Sequence, residues 1–489
     1  MRRFALLALL LILLPALAAA ERQPDLVIAH TNDLHAHYRS FPARGGELRG
    51  GVARIAARIA ALRAEHGERF LYLDAGDLFV GTPFYHFYRG SLGMAVLEAM
   101  ACDAMALGNH ELDEGPVNFL RAAVGRSFPV LCANLDWADG APLLPADTLL
   151  RAGDLDVAVV GLVTDELGEL VPCVAQGELA VEAPAAALGR WLAAERPAAD
   201  LTIALTHCGL GQDRETAAAV GAPPLFIGGH SHSFVEAGER VGDVTVCQAG
   251  ASGYVLGVIE CFRRSDGGWD FAPRLEPVTA DWPEDPAVAA LVASAGELVD
   301  REMEVVLGHL PEAFAARDKD TRPDPLGMLV ADLMRRHGGA DLGLQNIGGY
   351  RGHLPAGAVT RGRLFELLPF DNMLLRLHLS GADLRALFDH LAANHTGGRF
   401  GQIAGGSYRI ADGRAADIRV GGEPLDPAAA YTLVTLDFLF KGGDGYGFLQ
   451  AAARVDTLPG LARDLLAARL GGASPPRPGD LAPNFRAGD

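Results

Sequence analysis

Concentrated positive charge is what this sequence has least of. Its 42 Lys and Arg form no stripe or run, and they stand against 61 Asp and Glu, a formal charge of -19. A phosphate backbone is held by clustered Lys and Arg, so nucleic acid is excluded as an expected partner. An anionic small molecule remains admissible through local positive charge: a metal, an arginine or a helix N-terminus. Cysteine is also sparse. The six (Cys102, Cys132, Cys173, Cys208, Cys247 and Cys261) include no Cys-x-x-Cys pair. Most lie in apolar runs, where cysteine acts as a small hydrophobe, so a disulfide scaffold is excluded and no pairing can be read. There is no internal repeat, and no low-complexity tract besides an alanine-rich stretch around 181–199. What is present is globular: 489 residues, 49% hydrophobic and 21% charged, with 59 glycines and 29 prolines, enough for two or three domains.

The first twenty residues read as an export signal. Met1-Arg2-Arg3 is followed by an apolar run from Phe4 to Leu17, then by Ala18 and Ala20 in an Ala-x-Ala cleavage pattern. The run is short of the roughly 20 residues of a membrane span, which sets a retained anchor second. No cysteine stands directly after it, and the polar, proline-rich stretch Ser474 to Asp489 offers no hydrophobic tail for a lipid anchor. The expected product is periplasmic or secreted, with no stable membrane anchor after cleavage.

From residue 25 to about 265, β-type runs alternate with segments of helical period, the pattern of α/β layers. Residues Gly50 to Ala64 place Val52, Ile55, Ile59 and Leu62 on one helical face. Five β-type runs each end in a polar cluster: Asp33-Leu34-His35, Asp74-Ala75-Gly76-Asp77, Gly108-Asn109-His110-Glu111-Leu112-Asp113, Thr206-His207-Cys208, and Gly228-Gly229-His230-Ser231-His232. Ligand sites in α/β sheets form where such strand ends converge. Two Asp, one Asn and four His suffice for two cations sharing a carboxylate. Imidazole and carboxylate without thiolate suit Zn, Mn, Fe or Co. A two-metal site activates water and clamps the oxygens of a displacement at phosphorus.

These strand-end motifs resemble the signature of calcineurin-like metallophosphoesterases. Asn346-Ile347-Gly348-Gly349-Tyr350-Arg351, Leu368-Pro369-Phe370 and Gly442-Gly443-Asp444-Gly445 resemble the C-terminal domain of 5′-nucleotidases and UDP-sugar hydrolases. The resemblance implies a four-layer αββα metallophosphoesterase domain over 21–285, a linker helix over 286–306, and a C-terminal α/β substrate-binding domain over 307–489. It implies one metal held by Asp33, His35, Asp77 and His232, and another by Asp77, Asn109, His207 and His230. His110 would donate to the phosphoryl group, oriented by Asp113. Arg351 would grip phosphate, Asn346 would contact substrate, Phe370 and Phe438 would sandwich the base, and Asp444 would lie near the ribose. Both phenylalanines also sit in apolar runs, so core packing is the competing expectation for them. Gly442-Gly443 could be a tight turn only.

Relatives begin the second domain with Asn-x-Gly-(Asn or Asp), whereas this chain has Pro325-Leu326-Gly327-Met328. Arg322 is the nearest candidate for a further phosphate-binding arginine, with Arg317 weaker. Ile347 and Tyr350 also depart from the common pattern. The expected activity is dimetal hydrolysis of nucleoside 5′-monophosphates, extending to di- and triphosphates or UDP-sugars. A 2′,3′-cyclic-nucleotide phosphodiesterase with 3′-nucleotidase activity is the alternative enzyme. Thiosulfate-ester hydrolysis is set lower by the intact Asn109-His110-Glu111. A catalytically silent nucleotide- or metal-binding protein is the alternative of another class.

Overall fold

A computed structural model describes residues 22–43, 46–171, 177–194, 198–314, 319, 322–481 and 484–487. The export-signal reading of residues 1–20, Cys173 and Arg317 lie outside them. The first half is built on two six-stranded sheets. In one, Leu26–Thr31 pairs in parallel with Phe70–Asp74, which continues to Ala104–Ala106 and Val130–Leu131. Its other edge is antiparallel, through Val255–Arg263 and Trp269–Pro277. The acidic, proline-containing segment at 269–277 is therefore an edge strand, a place where proline is tolerated because no ladder hydrogen bond is lost. In the second sheet, Leu201–His207 lies between Leu155–Val163 and Leu225–Gly228, parallel to both, and Val244–Gln248 follows.

The central strands are buried along their whole length except at half-buried Thr202, as parallel strands covered on both faces are. Leu26, Ile28, Leu71, Leu73, Ile203, Leu205 and Ile227 fill the space between the sheets. Helix Val52–His66 packs on the outer face of the first sheet through Val52, Ile55, Ile59 and Leu62. Helices Pro184–Ala193 and Leu210–Val220 cover the second sheet. The order is helix, sheet, sheet, helix.

Helix Pro286–Met303, capped by Asp285 accepting from Ala287 and Val288 N–H, follows this unit. It ends at Met303, three residues short of the expected 306, because Val306–Leu310 is already a strand. The second half holds a five-stranded sheet in the order Gly401–Ala404, Leu342–Asn346, Ala430–Leu436, Leu374–Ser380, Arg454–Leu458. Its core includes Leu326, Val330, Met334, Leu344, Leu377, Phe388 and Leu433. Among the described residues no helix is long and apolar enough to cross a membrane.

The halves touch through side chains. His86 meets Phe365 edge-on, with ring centroids 5.3 Å apart, and Arg463 lies 3.8 Å above the Phe365 ring. Arg463 also donates to the carbonyl of Leu368 and to Asp371, which flank Phe370.

Candidate active site

All five predicted strand ends point the same way, and their loops meet at one edge of the paired sheets. Three overlapping groups of potential metal ligands stand there: Asp33, His35 and His232; His35, Asp77 and His110; Asp77, His207 and His230. Asn109 joins through its Oδ1, 2.8 Å from His230 Nδ1. The backbone is forced to bring them in. Asp33, His35, Asp77, His230 and His232 all have left-handed φ, between 46° and 77°. That conformation is costly for residues with a Cβ and persists where surrounding structure imposes it. Gly229 must be glycine here, since a Cβ would stand 2.8 Å from His207 Nδ1 and 2.9 Å from the Ala75 carbonyl.

The hydrogen bonds fix the tautomers. His207 is fully buried, and its Nδ1 lies 2.7 Å from the Ala75 carbonyl, which can only accept. Nδ1 therefore carries the proton, and in the neutral ring Nε2 has only a lone pair. Nε2 has no hydrogen-bond partner, yet it stands 3.1 Å from Asp77 Oδ2 and 3.9 Å from Asp33 Oδ1. An acceptor facing buried carboxylates is repulsive unless a proton or a cation lies between them. His35 repeats the pattern: Nδ1 donates to the Phe79 carbonyl at 3.2 Å, and Nε2 is 3.0 Å from His232 Nε2. Two ligand atoms each about 2.1 Å from one ion stand roughly 3–3.5 Å apart. His232 Nε2 to Asp33 Oδ1, at 3.3 Å, also falls there. The donor set fits divalent metal ions.

The electrostatics agree. Burial pushes His35 and His230 down to about 4 despite the nearby carboxylates. Burial also opposes charge on His207, but Asp77 and Asp33 outweigh it and carry the group up to about 10. Asp77 is desolvated too, yet His207, His110 and His35 hold it well below the usual carboxylate range. His110 rises to about 10 against burial, through Asp77 and Asp113. Its Nδ1 is 2.7 Å from Asp113 Oδ2, while its Nε2 is 4.0 Å from Asp77 Oδ2. One nitrogen is thus fixed by Asp113 and the other faces the cluster.

Residues that the sequence reading left without a role brace these loops. Asn32 donates to Asp33 Oδ2 and to the Gly250 carbonyl, both at 2.6 Å, and accepts from Ala249 N–H. Gln248 donates to the Gly229 carbonyl and accepts from Ser231 and Ser233. Asp74 accepts from Thr31 Oγ1 and from Gly76 N–H, and burial pushes it up to about 7. Asp74 and Gln248 share a legible signal: each is a strongly polar residue closing a mostly apolar, fully buried strand.

On the second half, Asn346 Nδ2 donates to Asp444 Oδ2 at 2.7 Å, joining residues 98 positions apart. Asp444 has φ 54° and stands within the short 3-10 turn Gly443–Gly445, which Gly442 enters at φ 101°. Phe370 and Phe438 are 46% and 42% exposed, which overturns the core-packing expectation for both. The Arg351 guanidinium lies 5.6 Å from the Phe370 ring centre. Asp437, next to Phe438, is close enough to Asp113 to help raise its carboxyl, a rise led by burial. Arg322 is exposed, and its carbonyl accepts from Gln402 Nε2 at 3.1 Å. The departures at 325–328 and 350 form one unit. Tyr350 is fully buried and donates to Asp324 Oδ2 at 2.7 Å, and Gly327 leaves room for the phenol, since a Cβ would come within 2.7 Å of its oxygen.

Residues 26–234 match the calcineurin-like phosphoesterase family, and residues 306–451 match the 5′-nucleotidase C-terminal domain. The chain is 26% identical to Protein 5NUC of Lutzomyia longipalpis, over 92% of this chain and 91% of that protein. It is 28% identical to a 5′-nucleotidase of Diplobatis ommata, over 90% and 86%. Among solved structures, the 5′-nucleotidase precursor from Thermus thermophilus is 27% identical, with a TM-score of 0.66 over 94% of this chain and 99% of that one.

Proposed function

We propose, from a chain that joins a calcineurin-like phosphoesterase domain to a 5′-nucleotidase C-terminal domain and so belongs to the 5′-nucleotidase family, that it hydrolyses nucleoside 5′-monophosphates with two divalent metal ions. The observation that carries the two-metal part is the convergence of imidazole nitrogens and buried carboxylates around Asp77, close enough to need a cation or a proton between them. Asp33, His35, Asp77 and His232 would hold one ion, and Asp77, Asn109, His207 and His230 the other. Bound there, the ions would lower the pKa of a water molecule and neutralise charge on the phosphoryl oxygens.

The chain's own groups do the rest. Asp113 accepts the Nδ1 proton of His110, so His110 Nε2–H is aimed at the oxygens where negative charge grows in the transition state. Phe370 and Phe438 offer exposed rings to the two faces of a base, which tolerates any base because each has a π-face. Asn346 and Asp444, already bonded to each other, offer polar contacts to the ribose. Arg351 supplies a planar guanidinium for phosphate, with Arg322 a second candidate.

The proposed division is 21–285 and 307–489, with the expected linker 286–306 holding the helix Pro286–Met303 and the start of the next strand at Val306. Residues 1–20 are proposed as a cleaved signal, giving a periplasmic or secreted enzyme. A panel of AMP, ADP, ATP, UDP-glucose, 3′-AMP and 2′,3′-cyclic AMP with phosphate-release detection tests the reading. Hydrolysis of AMP above the other monoesters supports it. Preference for 3′-AMP and the cyclic nucleotide would replace it with the alternative activity.

A further inference from the structure

We propose that Glu111 is the positioning residue that fixes the separation of the two metal sites, an inference that rests on the two-metal reading above. Glu111 is fully buried, and its carboxylate accepts four backbone N–H groups. Oε2 takes Asp77 N at 3.0 Å and Gly108 N at 2.8 Å, while Oε1 takes Leu78 N at 2.9 Å and Phe79 N at 3.1 Å. These donors come from two different strand-end loops, one carrying Asp77 and the other Asn109. The ladder between the strands Phe70–Asp74 and Ala104–Ala106 stops at the pair Asp74 and Met105. Beyond it the two loops have no strand pairing to hold them in register, and one carboxylate supplies it.

The fit is close. A Cβ on Gly108 would lie 2.3 Å from Asp77 N and 2.5 Å from Glu111 Oε2. His110 N–H donates to Asp77 Oδ1 at 3.0 Å, so Asp77 is gripped through its backbone by Glu111 and through its side chain by the residue preceding Glu111. Asp77 is the carboxylate assigned to both ions. Its placement relative to Asn109 therefore sets where the second ion sits relative to the first.

Acceptor capacity at both ends is what the site demands. Gln has the same shape, but its NH₂ would face two N–H donors and leave them buried and unpaired. The test uses the full chain with Glu111→Gln, loaded with Mn(II). Circular dichroism and thermal melting monitor the fold. Titration calorimetry with elemental analysis counts ions and affinities, and electron paramagnetic resonance reads the magnetic coupling between the two Mn ions. The expected variant is folded, keeps one tightly held ion, and binds the second about 10–100-fold more weakly, as loss of an outer-shell partner does. Its coupled two-ion signal gives way to that of isolated Mn. Should Glu111→Gln fail to fold, Glu111→Asp keeps the charge on a shorter arm, and the same weakening and altered coupling are expected. Wild-type affinity for both ions with unchanged coupling, in either folded variant, overturns the role of Glu111. A wild-type chain that binds fewer than two ions instead overturns the two-metal reading beneath it.

Discussion

The Nδ1–H of His207 is committed to the Ala75 carbonyl, which leaves Nε2 as the atom that faces Asp77. His110 is held through the same nitrogen, but its Nδ1 is tied to the carboxylate of Asp113 and its free Nε2 stands farther from Asp77. The two histidines thus divide into a proposed ligand and a proposed donor by the partner at Nδ1, a neutral carbonyl for His207 and a carboxylate that favours the charged ring for His110. If His110 acts as the donor, His110→Ala lowers kcat by about 10²–10³, the range of a lost electrostatic donor, with metal content unchanged. Asp113→Ala should follow it, and the double variant should be little worse, because residues acting as a unit are not additive. Steady-state kinetics beside elemental analysis check this; multiplied losses in the double variant would mean that the two act separately. The exposed rings are tested in the same way. Phe438→Ala should weaken use of AMP by roughly 5- to 150-fold, from the 1–3 kcal/mol of a base–aromatic stack, and leave p-nitrophenyl phosphate almost untouched. Equal damage to both substrates would show that Phe438 shapes the fold and does not read the base.

Among the elements, the strand ends were legible because each carries its chemistry in a few consecutive residues after an apolar run. Asp33-x-His35 or Gly229-His230-x-His232 can be read without knowing which strands pair. The braces were not legible in that way. Asn32 reaches Gly250 and Gln248 reaches Gly229, and those contacts depend on how the sheets stack. The exposure of Phe370 and Phe438 was equally hidden, since an apolar run in sequence does not say which of its members faces outward. The helix Pro325–His337 shows how a departure from the family pattern is absorbed. Its cap Asp324 accepts from Gly327 N–H and from the Tyr350 hydroxyl, so Tyr350 ties the start of this helix to the loop bearing Asn346 and Arg351. Tyr350→Phe removes one donor from a buried carboxylate and should cost about 1–3 kcal/mol. A shift of the denaturation midpoint at unchanged slope would report it, while an unshifted midpoint would show that the pair contributes little.

Across the whole molecule, two sheets back to back bring eight potential ligands from five loops to one edge, and a second α/β unit carries exposed aromatics and a paired Asn346 and Asp444. The contact between His86 and Phe365 continues through Arg463 to the loop bearing Phe370, so the two halves meet beside that loop. The layering was readable from the alternation of strand and helix, but the meeting of the halves was not, because it rests on single side chains far apart in sequence. The central claim is that hydrolysis depends on ions held at the Asp77 cluster. Its most direct test is exhaustive chelation of the full chain, with the metal content verified by elemental analysis and AMP turnover measured before and after Mn, Co or Zn is restored. Turnover should vanish with the metal and return with it, whereas full turnover by verified metal-free protein would contradict the account.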